Sequence, residues 1–88
     1  YHWDLPDALE RAGGWPVRAT ADRFAAYAAI CARHFGDRVS EWTLFNEPYI
    51  FLSRGYLTGR YAPGRQEPEA FLKAVHTNAI AHGEGFRA

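Results

Sequence analysis

The sequence predicts a segment of an α/β fold, and three patterns along the chain support this class. Two stretches carry apolar residues at helical spacing, and a short run between them is continuously apolar. That run, Trp42-Thr43-Leu44-Phe45, is typical of a strand buried on both faces of a parallel sheet. Helix, strand and helix in this order belong to a series in which helices cover a parallel sheet. Because one strand cannot form a sheet, the segment needs neighbouring strands.

A short helix is predicted over residues 5–12. Pro6 suits the first helical position, and Leu5 and Leu9 are four residues apart, so that they share one face. Gly13-Gly14 would end this helix.

The next element is a longer amphipathic helix. Thr20 can cap its beginning, and Gly36 follows its last turn. The apolar positions have helical spacing and are Phe24, Tyr27, Ala28, Cys31 and Phe35.

A strand is predicted over Val39–Phe45, followed at once by Asn46-Glu47-Pro48. A long connection then runs from Tyr49 to about Glu67 and contains several glycines and a proline.

The second amphipathic helix begins near Pro68. The residues expected on its apolar face are Phe71, Val75, Asn78 and His82. We therefore expect His82 to be a buried, hydrogen-bonded core residue, and His76 has no evident role.

Charge and cysteine content exclude several classes of function. Ten Lys and Arg balance ten Asp and Glu without a basic run, so nucleic acid is not an expected partner. No apolar run is long enough to span a membrane. Cys31 and His34 are three residues apart, but no second pair accompanies them, so neither a metal site nor a cofactor is predicted.

Two figures are unusual for an independent domain of 88 residues. Aromatic residues make up 16% of the chain, and it contains no Met. A small domain buries little surface in which to place so many rings. Since the chain also begins at Tyr1 rather than Met, we expect it to be an excerpt of a longer protein.

Glu47 is the first candidate for chemistry. In α/β barrels and open sheets, active sites lie at the carboxyl ends of the strands, which is where Asn46 and Glu47 are expected. An amide such as Asn46 suits a ligand rich in hydroxyl groups, and Pro48 should hold the backbone of Glu47 extended. The alternative is a surface acid beside a turn asparagine.

The segment Tyr1-His2-Trp3-Asp4 is the second candidate. A polar histidine beside an indole ring is typical of a sugar site, where apolar ring faces stack on aromatic side chains. The alternative is a core tryptophan with a hydrogen-bonded histidine next to it.

Read together, these segments resemble glycoside hydrolase family 1, the β-glucosidase family. The motifs occur in order along essentially the whole chain and are Tyr1-His2-Trp3-Asp4-Leu5-Pro6, Gly13-Gly14-Trp15, Gly36-Asp37-Arg38-Val39, Asn46-Glu47-Pro48, Gly55-Tyr56, Ala62-Pro63-Gly64 and Ala81-His82-Gly83. The resemblance implies a fragment of a (β/α)8 TIM barrel that runs from the end of strand 3 through helix 4. Residues 1–88 would then be part of a catalytic domain with an incomplete barrel.

The resemblance also implies roles for five residues. Glu47 would be the general acid/base of a retaining β-glycosidase, and Asn46 would hold the sugar 2-hydroxyl. His2 would bind a further hydroxyl and Trp3 would shape the same pocket. Tyr49 would border the leaving-group side. No cofactor or metal is implied, and the partner is a β-glucoside or related oligosaccharide.

Two departures from the family pattern are visible. The family usually has Thr two positions before the Asn, where this chain has Leu44 and places Thr43 one position earlier. The nucleophile of the family lies in a Glu-Asn-Gly motif, which does not occur in this chain. Because a retaining glycosidase needs both carboxylates, the remainder of the barrel is required and the isolated chain is expected to be inactive.

Three functions therefore stay open at this point. The chain is part of a β-glucosidase-like enzyme, a carbohydrate-binding relic that does not cleave its ligand, or the non-functional product of a truncated gene. The even charge and single Cys lead us to expect the cytoplasm as its compartment.

Overall fold

The structure is a computed structural model that describes residues 1–88, and it consists of helices joined by irregular segments. The α-helices are α1 (Asp7–Arg11), α2 (Ala19–Phe35), α3 (Pro48–Leu52) and α4 (Pro68–Arg87), and a π-helical turn over Ser53–Leu57 continues α3. The two long helices, α2 and α4, pack against each other, and α3 with the π-helical turn packs against α4. None of these helices has the length and hydrophobicity needed to cross a bilayer.

Helix α1 lies within the predicted range, and Pro6 directly precedes it. The chain then turns through Gly13 and Gly14, and Gly14 has a φ of 67°. A Cβ atom at Gly14 would collide with the carboxylate of Glu10 and the hydroxyl of Tyr56. The turn therefore requires glycine both for its backbone angle and for its close contacts.

Helix α2 begins two residues earlier than predicted, and the predicted cap at Thr20 is wrong. Arg18 is the N-cap, the helix starts at Ala19, and no side chain caps it. The buried Thr20 hydroxyl instead donates a hydrogen bond to the carbonyl oxygen of Gly14, at 2.6 Å. Thr20 thus ties the helix to the preceding turn. Gly36 follows the last residue of the helix, as predicted.

The apolar stripe of α2 is covered only at its beginning. Phe24 is buried, whereas Tyr27 is 57% exposed and Phe35 is 45% exposed. Ala28 and Cys31 are partly buried. The second half of the stripe consequently faces solvent in this chain.

The predicted strand over Val39–Phe45 is wrong for this chain, because that segment is irregular and Trp42 is 48% exposed. Two backbone hydrogen bonds nevertheless connect its end to Tyr1. The amino terminus of Tyr1 donates to Leu44 O at 2.8 Å, and Asn46 N donates to Tyr1 O at 3.0 Å. This is the pattern of a parallel pair in which Tyr1 lies opposite Phe45. A strand needs a neighbouring strand to hydrogen-bond with along its whole length. In this chain only Tyr1 pairs with the predicted strand.

The connection after Pro48 is more ordered than predicted, since α3 and the π-helical turn occupy its first half. Pro48 is the first residue of α3, a position that suits its fixed φ. The rest of the connection returns along the π-helical turn, to which backbone hydrogen bonds attach it. These join Tyr61 N to Arg54 O, Arg65 N to Gly55 O and Glu67 N to Tyr56 O.

Helix α4 begins at Pro68 as predicted, and its buried face agrees with the predicted one at Asn78 and partly at Phe71. The buried residues are Ala70, Ala74, Thr77, Asn78, Ala81 and Gly85. Val75 is 40% exposed, and His82 is exposed without a side-chain hydrogen bond, so its predicted burial is wrong. The prediction placed the large apolar residues of α4 on its buried face. Instead, α2 packs against the small residues of α4, because small side chains let the two helices approach closely. A Cβ atom at Gly85 would lie 2.8 Å from the ring of Phe24.

An aromatic core lies beneath the point where Phe45 leads into Asn46. Its rings belong to Trp15, Phe24, Phe45, Phe51 and Tyr56, which are all at least 93% buried. Phe24 and Phe45 stack with their centroids 4.3 Å apart. This core fixes the backbone from which the candidate site residues project.

Candidate active site

The pairing of Tyr1 with Phe45 brings the two candidate segments to one edge of the molecule. His2 and Trp3 follow Tyr1, and Asn46 and Glu47 follow Phe45. Since the paired segments run parallel, both pairs of residues leave the pairing in the same direction. This is the arrangement expected at the carboxyl ends of adjacent parallel strands.

The Tyr1 side chain fixes the beginning of this edge. Its hydroxyl donates to Trp3 O at 2.7 Å and accepts a hydrogen bond from Trp15 Nε1 at 3.2 Å. Its ring meets the ring of Phe51 edge to face, with the centroids 4.9 Å apart. Burial is the main cause that raises the pKa of Tyr1 to about 12, so the hydroxyl remains a donor above the pH at which an exposed tyrosine ionises.

His2 and Trp3 form part of an aromatic stack. The His2 ring lies 5.1 Å from the Trp3 ring at an interplanar angle of 24°, and the Trp3 ring lies 5.6 Å from Tyr61 at 29°. Two cavities of about 190 and 280 Å³ adjoin Trp3. Trp3 Nε1 is buried and has no hydrogen-bond partner.

Glu47 has a left-handed backbone, with φ 46° and ψ 60°, so the predicted extended conformation is wrong. It is the only residue other than glycine with a positive φ. Glu47 is the N-cap of α3, and its carbonyl accepts a hydrogen bond from Ile50 N at 2.9 Å. Pro48 disfavours the right-handed helical region for the residue before it. The backbone takes the left-handed alternative because α3 must start at the next residue.

The left-handed conformation costs a residue with a side chain roughly 1–2 kcal/mol. Such strained residues cluster at active sites and ligand clamps, where surrounding packing enforces them. At Glu47 the enforcing contacts are the aromatic core before it and α3 after it.

The polar groups of the candidate side chains have no hydrogen-bond partner within the protein. The side chains of His2, Asn46 and Glu47 make no hydrogen bond or ion pair within the protein, and Trp3 Nε1 has none either. Together they present an imidazole, an indole N–H, an amide and a carboxylate. Donors and acceptors of this variety along an aromatic wall suit a ligand with an apolar ring face and several hydroxyl groups.

The remaining predicted site residue, Tyr49, lies on α3, two residues beyond Glu47. It is 69% exposed on α3 and makes no side-chain hydrogen bond or ring pairing. Leu44, which replaces the expected threonine, is partly buried and packs against the core. The backbone pairing therefore places four of the five predicted residues at the same end of the paired segments.

A second polar group fastens the loops beneath this edge. The Tyr56 hydroxyl donates to Glu10 Oε2 at 2.6 Å and accepts from Trp15 N at 3.1 Å. Arg65 lies 3.4 Å from the other Glu10 oxygen. Burial, together with the hydrogen bond to Glu10, raises the pKa of Tyr56. These satisfied groups support the loops and contrast with the unpaired groups at the edge.

Sequence reasoning missed Tyr1 and Tyr61 as contributors to the site. The motif alone predicts no role for Tyr1, and its pairing with Phe45 depends on a contact between residues 44 positions apart. Tyr61 lies in the long connection, and its only signal was an aromatic residue just before Ala62-Pro63-Gly64.

The structure contains no group of three His, Cys, Asp or Glu side chains that could hold a metal ion. Cys31 is a partly buried free thiol on α2.

Comparison with known proteins identifies the family. The model of glycosyl hydrolase family 1 matches residues 1–88. Human Klotho is 46% identical over 86 residues, which cover 96% of this chain and 8% of Klotho. Human lactase/phlorizin hydrolase is 45% identical over 83 residues, which cover 93% of this chain and 4% of that protein. Beta-glucosidase A of Thermotoga maritima is 42% identical over 87 residues, covering 99% of this chain and 20% of that enzyme.

Solved structures agree with these relatives. The β-glucosidase from T. maritima in complex with deoxynojirimycin superimposes with a TM-score of 0.96, at 42% identity and over 99% of this chain and 20% of that one. The same enzyme is also known in complex with glucoimidazole, with equal similarity. The chain thus spans a fifth or less of the length of these relatives, and it fits a fragment of a (β/α)8 barrel. The chain belongs to glycosyl hydrolase family 1.

Proposed function

We propose that these residues form part of a retaining β-glycosidase that hydrolyses the O-glycosyl bond of a β-glucoside or related oligosaccharide. In this proposal the chain runs from the end of the third barrel strand through the fourth helix. The parallel pairing of Tyr1 with Phe45 supports this placement, because successive strands of such a barrel are parallel neighbours.

Glu47 is the proposed general acid/base. Its protonated carboxyl group gives a proton to the leaving glycosidic oxygen as the carbon–oxygen bond breaks and the glycosyl-enzyme forms. Its carboxylate then takes a proton from the water that attacks this intermediate. The exposure of Glu47 and its freedom from protein partners support this role, since both steps need an accessible carboxyl group.

The other residues are proposed to bind the sugar. Asn46 holds the 2-hydroxyl, a contact that strengthens in the transition state. His2 binds a further hydroxyl, while Trp3 forms the wall of the pocket. Tyr49 is proposed to border the leaving-group side, and its exposure leaves its ring available there.

The nucleophile must come from the remainder of the barrel. A retaining mechanism needs a second carboxylate about 5–5.5 Å from the acid, and none of the acidic residues of this chain matches the family's nucleophile motif. We therefore propose that the isolated chain does not hydrolyse glycosides.

The observation that carries the proposal is the set of four unpaired groups next to the strained Glu47 backbone. Of these groups Trp3 Nε1 is buried without a partner, and buried polar groups are normally hydrogen-bonded, so this N–H favours a ligand. Here the imidazole, the indole N–H, the amide and the carboxylate follow two paired backbone segments in the same direction.

The proposal can be tested in a chimera in which these 88 residues replace the matching segment of T. maritima beta-glucosidase A. Glu47→Gln keeps the size of the side chain but cannot donate or accept the proton. We expect it to lower kcat/KM by about 10²–10⁴-fold for glucosides with poor leaving groups. Activated aryl glucosides should lose much less of the rate at which they form the glycosyl-enzyme, because they leave without a proton.

Two results would contradict the proposal. An equal loss of glycosylation rate for both kinds of substrate would exclude an acid role for Glu47. A folded chimera that binds deoxynojirimycin without hydrolysing any glucoside would favour the carbohydrate-binding alternative.

A further inference from the structure

We propose that Tyr61, anchored by Arg54, is a positioning residue that holds the ring of Trp3, and with it His2, in place for sugar binding. This inference rests on the proposed function, because it concerns the same pocket. It adds two residues from the connection after α3, neither of which belongs to the predicted site.

The inference starts from a continuous stack of four flat groups. The rings of His2 and Trp3 are 5.1 Å apart and nearly parallel, and so are those of Trp3 and Tyr61, at 5.6 Å. The guanidinium carbon of Arg54 lies over the Tyr61 ring, 5.0 Å from its centroid. The stack therefore extends from the candidate sugar-binding residues to the π-helical turn.

Tyr61 is held at both its backbone and its hydroxyl. Arg54 donates a hydrogen bond to the Tyr61 hydroxyl at 2.6 Å, and Tyr61 N donates to Arg54 O at 3.1 Å. Arg54 belongs to the π-helical turn, where the neighbouring Ser53 and Tyr56 are 93% and 98% buried. Although Tyr61 itself is 39% exposed, its ring is thus attached to the core.

Trp3 is partly buried against the core, and the two rings that stack on it are those of His2 and Tyr61. Its Nε1 makes no hydrogen bond within the protein, so that no polar contact sets the side-chain torsions. His2 is exposed and unanchored, so it can follow the indole ring but cannot fix it. One of the two cavities beside Trp3 is lined by Tyr61 as well. Loss of the Tyr61 ring would enlarge this space and let the indole turn, since the terminal torsion of Trp is broad.

The test compares three variants of the chimera by the dissociation constant of deoxynojirimycin, measured by calorimetry. Tyr61→Ala removes the stacked ring, and we expect binding about tenfold weaker, the range that an aromatic pair supports. Tyr61→Phe keeps the stack and loses only the hydroxyl, so it should recover most of the affinity. Leu72→Ala, at a 66% exposed position on α4, is the control for an unrelated truncation.

Equal melting temperatures for these variants, together with rescue by Tyr61→Phe, would separate positioning from general destabilisation. Binding by Tyr61→Ala as tight as that of the unsubstituted chimera would overturn the inference alone. So would Tyr61→Phe binding as weakly as Tyr61→Ala. If the unsubstituted chimera does not bind deoxynojirimycin, the proposed function fails and this inference falls with it.

A second variant covers the case in which Tyr61→Ala does not fold. Arg54→Gln leaves the Tyr61 ring in place but removes the guanidinium that anchors it. We expect this variant to bind deoxynojirimycin about two- to threefold more weakly, as the loss of one exposed cation–π contact implies. Unchanged binding by folded Arg54→Gln would then overturn the inference.

Discussion

At the scale of single residues, Glu47 has a strained backbone conformation, and this conformation sets the position of its carboxylate. Its φ of 46° is the one positive value outside glycine, and it occurs where the paired segment ends and α3 begins. Because Glu47 is left-handed, the chain changes direction at this one residue and α3 begins at the next. The side chain then projects from a backbone fixed on both sides, which suits a group that must meet a substrate in one geometry.

The strain at Glu47 makes a stability prediction. Glu47→Gly and Glu47→Ala both remove the carboxylate, but only glycine adopts this φ without cost. In the chimera we expect the glycine variant to be more stable than the alanine variant by about 1 kcal/mol, measured by urea unfolding. At an ordinary backbone position the order is the reverse, so a more stable alanine variant would contradict the strained conformation.

Sequence reasoning predicted Glu47 and its neighbours as site residues, but it did not predict how the backbone holds them. The motif predicted which residues meet, and the pairing of Tyr1 with Phe45 brings four of them to one edge. The rule for a residue before proline predicted an extended Glu47, but the structure has it left-handed. The packing of α3 against the core decides the conformation, and no local pattern contains that information. The stack of Tyr61 on Trp3 was missed for the same reason.

At the scale of elements, the contact between α2 and α4 depends on small residues. Phe24 of α2 packs where Gly85 leaves room, and a Cβ atom at Gly85 would lie only 2.8 Å from the ring. Gly83, two residues earlier on the same helix, has only the flexible end of Arg87 near its Cβ position, at 3.6 Å. Gly85 is therefore required for the close contact with Phe24, whereas Gly83 leaves room for a larger residue.

Alanine at these two positions should have opposite effects on the stability of the chimera. Gly83→Ala should raise the free energy of unfolding by about 0.5–1 kcal/mol, because alanine is the better helix former. Gly85→Ala should lower it by about 1–3 kcal/mol through overpacking against Phe24. Denaturant unfolding of both variants measures the difference. Stabilisation by Gly85→Ala would show that α2 and α4 do not approach this closely.

The two long helices were predictable, whereas α3, the π-helical turn and the missing strand were not. The end of α2 and the start of α4 follow from glycine and proline signals, whereas α2 starts two residues before the predicted position. The buried face of α4 was assigned to its large residues, although close helix packing selects the small ones. The Val39–Phe45 segment has the composition of a strand, but its hydrogen bonds depend on neighbours that this chain supplies only at Tyr1.

At the scale of the whole molecule, the chain leaves a large apolar surface open. Only 17 of its 88 residues are buried. An apolar groove of about 360 Å³ lies between α2, the end of α4 and the Trp42–Leu44 segment. Tyr27 is 57% exposed and Phe86 is 83% exposed along it. An apolar surface of this kind is normally covered by another part of the protein.

This surface predicts different solution behaviour for the isolated chain and for the chimera. The isolated chain should bind the dye 8-anilinonaphthalene-1-sulfonate and should unfold on heating without a sharp transition. The chimera should do neither, because the barrel covers the groove. Dye fluorescence and calorimetry of the two proteins at equal concentration make the comparison. A cooperative, dye-free isolated chain would contradict the account of the groove.

The central claim is that this chain contributes the acid/base carboxylate of a retaining glycosidase. A crystal structure of the chimera with bound deoxynojirimycin tests it most directly, through the distance between the Glu47 carboxyl group and the nucleophilic carboxylate of the barrel. We predict a separation of about 5–5.5 Å, with the sugar mimic between them. A separation of about 6.5 Å or more, or a Glu47 side chain turned away from the mimic, would contradict the claim.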